Sequence, residues 1–193
     1  MNIQDRVRTT LASLERREVT MPFTREAAVL MPIFERRGIP HFLLTKRTDE
    51  VETHKGQISF PGGMREAGEN LEQTALRETF EEVGIGRDKI SILGRFHDYL
   101  SITDYRVSPY AAYLSTPFVT KPQTTEVAEI LEVPFSVFAD PSRMRVEQGR
   151  RRGKTVAVYF YSFGPHEIWG LTALIIKDFI EVLNWSFQWD PQP

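Results

Sequence analysis

Residues 63–85 read GMREAGENLEQTALRETFEEVGI and carry the clearest folding information in the chain. Asn70 is a favourable helix N-cap, Gln73 stands at the capping-box position, and Gly84 suits a left-handed C-cap. These residues predict a helix from about Asn70 to Val83. A ladder at intervals of four would form its core-facing side: Leu71, Ala75, Thr79 and Val83.

The last turns of this helix hold three glutamates, Glu78, Glu81 and Glu82. Residues three and four apart lie on the same side of a helix, where each pair of like charges costs about 0.2–0.5 kcal/mol. The negative end of the helix dipole adds a similar penalty. A divalent cation would reverse this balance, since Mg²⁺ and Mn²⁺ prefer several hard oxygen ligands. The competing interpretation is an ordinary solvated acidic face, on which Arg77 is either a surface residue or a bidentate partner of one carboxylate.

A wider spacing connects these acids to the preceding loop. The fixed positions are Gly63, Glu69, Arg77-Glu78, Glu81-Glu82 and Gly84. Together they resemble the box that defines the Nudix hydrolases, GX5EX7REUXEEXGU. Ile85 fits the last aliphatic position, whereas Thr79 stands where a bulky aliphatic residue is usual. Thr79 lies on the predicted core-facing ladder, so this departure concerns packing more than ligation.

The resemblance implies an α/β fold, the Nudix α/β/α sandwich with a mixed β-sheet flanked by helices. It also implies hydrolysis of a nucleoside diphosphate linked to another moiety, by water and bound Mg²⁺ or Mn²⁺. The implied metal-site residues are Glu78, Glu81 and Glu82, with Glu69 supporting the loop or a further ion and the carbonyl of Gly63 as an extra ligand. Arg77 would orient Glu78. Glu81 is the first candidate for the general base and Glu126 the second.

The segment before the box points to one branch of that family. Residues 43–63 read LLTKRTDEVETHKGQISFPGG and resemble LLTXR(S/A)X3RX3GX3FPGG, the signature of the coenzyme A pyrophosphatases. The implied substrate-binding residues are Lys46, Arg47, Phe60, Gly62 and Gly63. Thr48 replaces the usual serine or alanine, and Glu52 replaces an arginine. The second departure reverses a charge, for which Lys46, Arg47 or Lys55 are the candidates to compensate.

Two later segments resemble the same branch. Residues 125–129, followed by Val133-Pro134, resemble the segment that brings a distant acid to the catalytic face, and residues 168–173 resemble the start of its C-terminal helix. The resulting hypothesis is a Mg²⁺- or Mn²⁺-dependent hydrolase of coenzyme A or its derivatives. The products would be 3′,5′-ADP and 4′-phosphopantetheine, or its acylated form.

Other functions stay open at this point. Another Nudix substrate such as ADP-ribose, NADH, a nucleoside triphosphate or a capped RNA end would use the same helix. A non-catalytic domain that senses a nucleotide is the alternative from another class, although such domains tend to lose acids that this chain retains. The basic stretch from Arg143 to Lys154 is either a solvated hairpin turn or a phosphate-binding element. We expect ordinary hydrogen-bonding roles for His54 and His97.

The rest of the chain fits one domain over residues 1–193, with an N-terminal helical extension over 1–25 and the box at 63–85. The spacing of Ile3, Val7, Leu11 and Leu14 predicts an amphipathic helix in the first 17 residues. Further predicted elements are a hairpin of Glu26–Phe34 with Pro40–Thr45, strands at Gln57–Phe60, Ile90–Leu93, Arg106–Leu114, Ala128–Val133 and Thr155–Phe163, and a last helix from about Trp169 to Asn184. The aromatic tail after it, with Trp185, Phe187 and Trp189, fits packing on its own domain or a homodimer contact.

Composition excludes several classes of function. The chain of 193 residues has 24 Lys and Arg against 26 Asp and Glu, so we expect no nucleic-acid partner. It has no cysteine, which excludes disulfides, thiolate nucleophiles and cysteine-ligated metals. No apolar run approaches the roughly 20 residues of a membrane helix, and residues 1–17 are too polar for a secretory signal. We therefore expect a cytoplasmic protein that acts on a small molecule and has no membrane partner.

Overall fold

The computed structural model describes residues 2–48 and 56–185. The helices are Ile3–Ser13 (α1), Leu71–Val83 (α2), Phe135–Ala139 (α3) and Gly170–Val182 (α4). The strands are Arg25–Arg36 (β1), Ile39–Arg47 (β2), Ile58–Ser59 (β3), Gly62–Met64 (β4), Ile90–Arg95 (β5), Tyr99–Leu100 (β6), Tyr105–Leu114 (β7), Val127–Pro134 (β8), Met144–Arg151 (β9), Lys154–Phe163 (β10) and His166–Trp169 (β11). No helix among these residues is long and apolar enough to cross a bilayer.

The main sheet is mixed and runs in the order β3-β2-β1-β7-β5, with β8 paired to β2, β4 to β1 and β6 to β7. Strands β1 and β7 are parallel, whereas β1 pairs with β2 and β4 in the antiparallel sense. The turn between β1 and β2 consists of Arg37 and Gly38, both at positive φ, as two-residue hairpins of this kind require. The predicted hairpin is therefore confirmed.

Both faces of this sheet are covered by helices because its strands alternate two apolar sets. On one face, Leu30, Phe34 and Leu43 pack with α2. On the other, Ile33 and Phe42 join a larger core with α1, α3 and α4. The expected α/β/α sandwich with a mixed sheet is confirmed.

The first helix ends at Ser13, four residues earlier than the periodicity predicts. The chain then becomes extended, and tertiary hydrogen bonds replace helical ones: the Arg17 amide donates to His97 Nδ1 (3.0 Å), and its carbonyl accepts from the Asp98 amide (2.8 Å). His97 is buried, and this burial lowers the pKa of its imidazole. The ordinary hydrogen-bonding role expected for His97 is what the structure shows.

A second, three-stranded sheet of β9, β10 and β11 packs against α4, and sequence patterning indicated only β10. Strand β9 has mostly polar residues and faces solvent on both sides, so hydrophobic alternation does not reveal it. The predicted basic stretch lies in the β9–β10 hairpin. Arg151 donates to the carbonyls of Leu100 and Ser101, and Arg152 pairs with Asp104 at 2.8 Å.

The last described residue of the aromatic tail packs on its own chain. The indole of Trp185 meets the ring of Phe135 edge to face at 5.5 Å, and the guanidinium of Arg6 lies 4.9 Å from it. For this residue the structure favours the first of the two predicted interpretations. Phe187 and Trp189 lie outside the described residues, as do Glu52, His54 and Lys55.

Candidate active site

Helix α2 begins and ends as its sequence predicts. Asn70 accepts from the Gln73 amide (2.9 Å), and the Gln73 side chain accepts from the Asn70 amide (2.8 Å), which completes the capping box. Gly84 closes the helix at φ 71°. Thr79 is fully buried and donates to the Ala75 carbonyl at 2.7 Å. A hydroxyl therefore occupies the aliphatic position of the pattern without leaving a polar group unpaired.

Arg77 is the hub of the carboxylates on this helix. Its Nη1 donates to Glu78 Oε1 and to Glu81 Oε2, each at 2.9 Å. Its Nε donates to Glu69 Oε1 at 2.7 Å, and Nη2 donates to the Met64 carbonyl at 3.1 Å. One guanidinium thus connects the box loop to the helix and is hydrogen-bonded to Glu78.

Glu69 is committed to this hub. Besides Arg77, its carboxylate accepts from Thr74 Oγ1 (2.9 Å) and from the Glu66 amide (3.3 Å). The Arg77 guanidinium, with these donors, lowers the pKa of Glu69 to about 2. Of the two roles that the resemblance left open, this geometry favours support of the loop over ligation of a further ion.

Glu82 has the most unusual environment of the three helix glutamates. It is only 6% exposed, and its Oε2 is buried without a hydrogen-bond partner. Burial, followed by the nearby negative charge of Glu78, raises the pKa of Glu82 to about 8, although Arg47 and a backbone hydrogen bond from Gly62 oppose this shift. An unpaired buried carboxylate oxygen costs free energy, and binding of a cation or of a proton at Glu82 would remove that cost.

The loop that carries Glu126 packs against the end of α2, next to Glu82. The Gln123 amide donates to the Glu82 backbone carbonyl at 2.9 Å, and the Thr48 amide donates to the Glu126 carbonyl at the same distance. Burial is the main cause that raises the pKa of Glu78 and of Glu82, and the negative charge of Glu126 adds to both shifts. Because these residues are distant in sequence, spacing alone does not bring them together.

Thr48 is a positioning residue that the sequence analysis missed. Its Oγ1 donates to the Thr125 carbonyl at 2.9 Å, so side chain and backbone together attach the end of β2 to the Glu126 loop. In the sequence, Thr48 was notable only because it replaces the usual serine or alanine of a signature. A hydroxyl residue directly after a strand was the available indication.

The other predicted substrate-binding residues occupy different environments. Arg47 ends β2 near Glu82, and its Nε is buried without a hydrogen-bond partner. Lys46 pairs in register with Ile58 and Glu129 and is partly exposed. Phe60 is only 3% exposed and meets Phe42 edge to face at 5.3 Å. The expectation of substrate contact for Phe60 is therefore corrected to a packing role in the core.

The two glycines of the box loop lie where no side chain fits. A Cβ on Gly62 would lie 2.4 Å from the Ala28 carbonyl oxygen and 2.6 Å from Val29 Cα. A Cβ on Gly63 would lie 2.3 Å from Glu78 Oε1. This segment belongs to β4, which pairs with β1.

This arrangement agrees with the comparisons with known proteins. A model of the NUDIX domain matches residues 24–158. The chain belongs to the Nudix family. The uncharacterized Nudix hydrolase NudL of Photorhabdus laumondii is 40% identical over 153 residues, covering 79% of this chain and 81% of that protein. The protein of the same name from Enterobacter sp. strain 638 is 35% identical over 155 residues, covering 80% of each chain.

A solved structure supports the fold. The MutT/nudix family protein from Enterococcus faecalis superimposes with a TM-score of 0.54 at 17% identity, covering 93% of this chain and 70% of that one. With its family established, the protein is a Nudix hydrolase that acts on pyrophosphate bonds. Nudix hydrolases generally use divalent metal ions.

The carboxylates fit such an ion by their chemistry. Within residues 2–48 and 56–185, no three acidic or histidine side chains already form a metal-binding group. The unpaired Oε2 of Glu82, beside the charges of Glu78 and Glu126, is nevertheless a hard oxygen donor without a partner. These three carboxylates are the residues that would hold a divalent cation.

The three helix glutamates do not all converge, contrary to the sequence prediction. Glu78 and Glu82 are turned inwards, whereas Glu81 is exposed and stays at the rim, bonded to Arg77. Glu126, the second candidate for the general base, is the acid whose charge reaches both inward carboxylates. Glu126 therefore lies within electrostatic reach of the buried pair.

Exchanging each glycine of the box loop for alanine should separate folding from catalysis. Gly62→Ala should destabilise the protein by about 2 kcal/mol or more, because its Cβ meets backbone atoms that cannot move away. Gly63→Ala should keep most of the stability, since Glu78 is flexible, yet lower kcat at least tenfold by displacing that carboxylate. Urea unfolding and steady-state kinetics of both variants measure this. The interpretation fails if Gly63→Ala retains wild-type kcat.

Proposed function

We propose that this Nudix hydrolase cleaves the diphosphate of coenzyme A, its thioesters or a close derivative, with Mg²⁺ or Mn²⁺. The observation that carries the proposal is the spacing of residues 43–63, which resembles the coenzyme A pyrophosphatase signature without a gap. Two residues of this segment lie beside Glu82: Arg47 is near its carboxylate, and Gly62 gives that carboxylate a backbone hydrogen bond.

The residues at the site have separate roles in binding the substrate phosphate and the cation. Arg47 is partly exposed at the end of β2 near Glu82, and its guanidinium suits a phosphate oxygen of the substrate. Arg77 holds Glu78 through a 2.9 Å hydrogen bond. A cation bound by Glu78, Glu82 and Glu126 would supply charge neutralisation and lower the pKa of water.

The general base is one of two carboxylates. Glu81 lies on the exposed rim and is bonded to Arg77, whereas Glu126 lies close to the inward acids. Single Glu→Gln exchanges at both positions assign the role, because removal of the base lowers kcat and also changes its pH profile. Loss of the acidic limb of that profile in only one variant identifies the base.

A chromatographic product assay tests the substrate. Coenzyme A, dephospho-coenzyme A, ADP-ribose and NADH are each incubated with Mg²⁺, with Mn²⁺ and with excess chelator. We expect metal-dependent release of 3′,5′-ADP and 4′-phosphopantetheine from coenzyme A, faster than turnover of the other three. Preferred hydrolysis of ADP-ribose or NADH would reject the substrate assignment. Tight binding of a nucleotide without turnover in either ion would favour a sensing role.

A further inference from the structure

A cleft of about 540 Å³ opens beside the box loop, at the end of the sheet where β1 begins. This volume falls within the range of small-molecule pockets. Its lining residues are Phe23, Thr24, Arg25, Glu26, Met64 and Arg65. None of them belongs to the residues assigned above to metal or substrate.

The cleft carries an excess of positive charge. Glu26 is its one acidic lining residue, and two arginines neutralise it: Arg65 Nε lies 2.7 Å from its carboxylate, and Arg106 pairs with the other oxygen. This triad keeps one net positive charge. Arg25 adds a second, since no carboxylate of the described residues pairs with it. An arginine-rich cleft of this kind suits a phosphate.

Two of the lining residues, Phe23 and Met64, are apolar. The ring of Phe23 is 37% exposed, and the guanidinium of Arg106 lies 4.6 Å from its centroid. Met64 adds a polarizable thioether that adapts to planar groups. An aromatic ring and a thioether beside an excess of positive charge together suit a heteroaromatic base that bears a phosphate on its sugar.

The cleft is continuous with the catalytic helix through β4. The Met64 carbonyl accepts from Arg77 Nη2 at 3.1 Å, and Met64 follows Gly63, against whose Cα the Glu78 carboxylate lies. Strand residues rise about 3.3 Å each, so the cleft is within one nucleoside length of Glu78. An arm of a diphosphate held at Glu78 is therefore long enough to reach this cleft across β4.

We propose that this cleft is the subsite for the nucleotide arm of the substrate, with Phe23 and Met64 against the base and Arg25 on a ribose phosphate. The inference rests on the proposed function, whose substrate has one adenosine 3′-phosphate arm and one uncharged pantetheine arm. The uncharged arm has no group that would pair with the excess positive charge. The phosphate-bearing arm has both a phosphate for Arg25 and a base for Phe23 and Met64.

Equilibrium binding of adenosine 3′,5′-bisphosphate in excess chelator tests this site without turnover. Arg25→Gln should raise Kd about tenfold, as expected for loss of one charge-assisted hydrogen bond, and should change Kd for adenosine 5′-monophosphate less than twofold. Phe23→Ala should weaken both ligands by a similar factor. Arg150→Gln is the matched control, since Arg150 is an exposed arginine of the β9–β10 hairpin.

Calorimetric titration gives these constants, and thermal unfolding checks that each variant folds. Equal Kd values for wild type and Arg25→Gln would overturn the inference, as would a loss that appears only in Arg150→Gln. Coenzyme A hydrolysis measured alongside separates the two proposals. Turnover of coenzyme A with unaffected binding in Arg25→Gln rejects the cleft alone. Arg25-dependent binding without coenzyme A turnover rejects the proposed substrate and retains the nucleotide subsite.

Discussion

Glu82→Gln is expected to lower kcat at least about 100-fold while leaving the protein folded. Removing groups that merely support metal ligands costs 10–100-fold in other metal sites, and Glu82 is placed to be a ligand itself. The amide keeps the shape of the side chain but loses the charge that would bind the cation. Steady-state kinetics at saturating Mg²⁺ measures the loss.

The same exchange should stabilise the metal-free protein at neutral and alkaline pH. The pKa of Glu82 rises from 4.5 to about 8 on folding, so the folded state keeps a proton that the unfolded state releases between these values. Stability therefore falls as pH rises from about 4.5 to about 8, by a few kcal/mol in total. Glu82→Gln has no such proton and should lose less stability across this window.

Glu72→Gln is the matched control for both measurements. Glu72 lies on the same helix, is partly exposed, and forms a 3.9 Å pair with Arg87. Its exchange should leave kcat within twofold and the pH dependence of stability unchanged. Wild-type kcat in Glu82→Gln, or an equal loss in both variants, would contradict the assignment of Glu82.

Arg77→Ala should have the second largest effect, on both stability and activity. Its loss releases hydrogen bonds to Glu69, Glu78 and Glu81 together and leaves three carboxylates without their shared cation. We expect destabilisation by about 2–4 kcal/mol and a drop in kcat of at least tenfold, because Glu78 is no longer held. Chemical denaturation and steady-state kinetics measure the two effects.

The acid limb of the stability profile gives Arg77→Ala a specific signature. The pKa of Glu69 is lowered to about 2 in the folded state by Arg77. The stability that this provides is present above pH 4.5 and is lost as pH falls from there towards 2. Arg77→Ala should flatten this limb, whereas Arg8→Ala, which removes an exposed 3.7 Å pair with Asp5, should not. A profile as steep as that of the wild type would reject the role of Arg77.

Local chemistry made some elements predictable. The α2 helix follows from Asn70, Gln73 and Gly84 alone, since capping and a left-handed C-cap depend only on neighbouring residues. The β1–β2 hairpin follows in the same way from its two-residue turn with Gly38. The grouping of the acidic residues on α2 was predictable because helical spacing fixes which side chains are neighbours.

Other parts of the site depend on contacts between distant segments. Strand β4 exists because Gly62 and Gly63 allow close approach to β1 and Glu78, which a glycine pair in a sequence does not distinguish from a turn. Glu82 lies on helix α2 and its neighbour Arg47 lies on strand β2. Their proximity therefore depends on how the helix packs on the sheet, which sequence spacing does not give. Helical spacing predicted that Glu81 faces the same side as Glu78 and Glu82. In the structure Glu81 stays at the exposed rim, hydrogen-bonded to Arg77.

Binding of Mn²⁺ to the wild type, Glu82→Gln and Glu72→Gln is the most direct test of the metal site. Electron paramagnetic resonance of free Mn²⁺, titrated with protein in the absence of substrate, reports bound ion independently of activity. We expect binding of Mn²⁺ by the wild type and by Glu72→Gln, and at least tenfold weaker binding by Glu82→Gln. Equal affinity in all three proteins would show that the buried Glu82 carboxylate does not hold the ion.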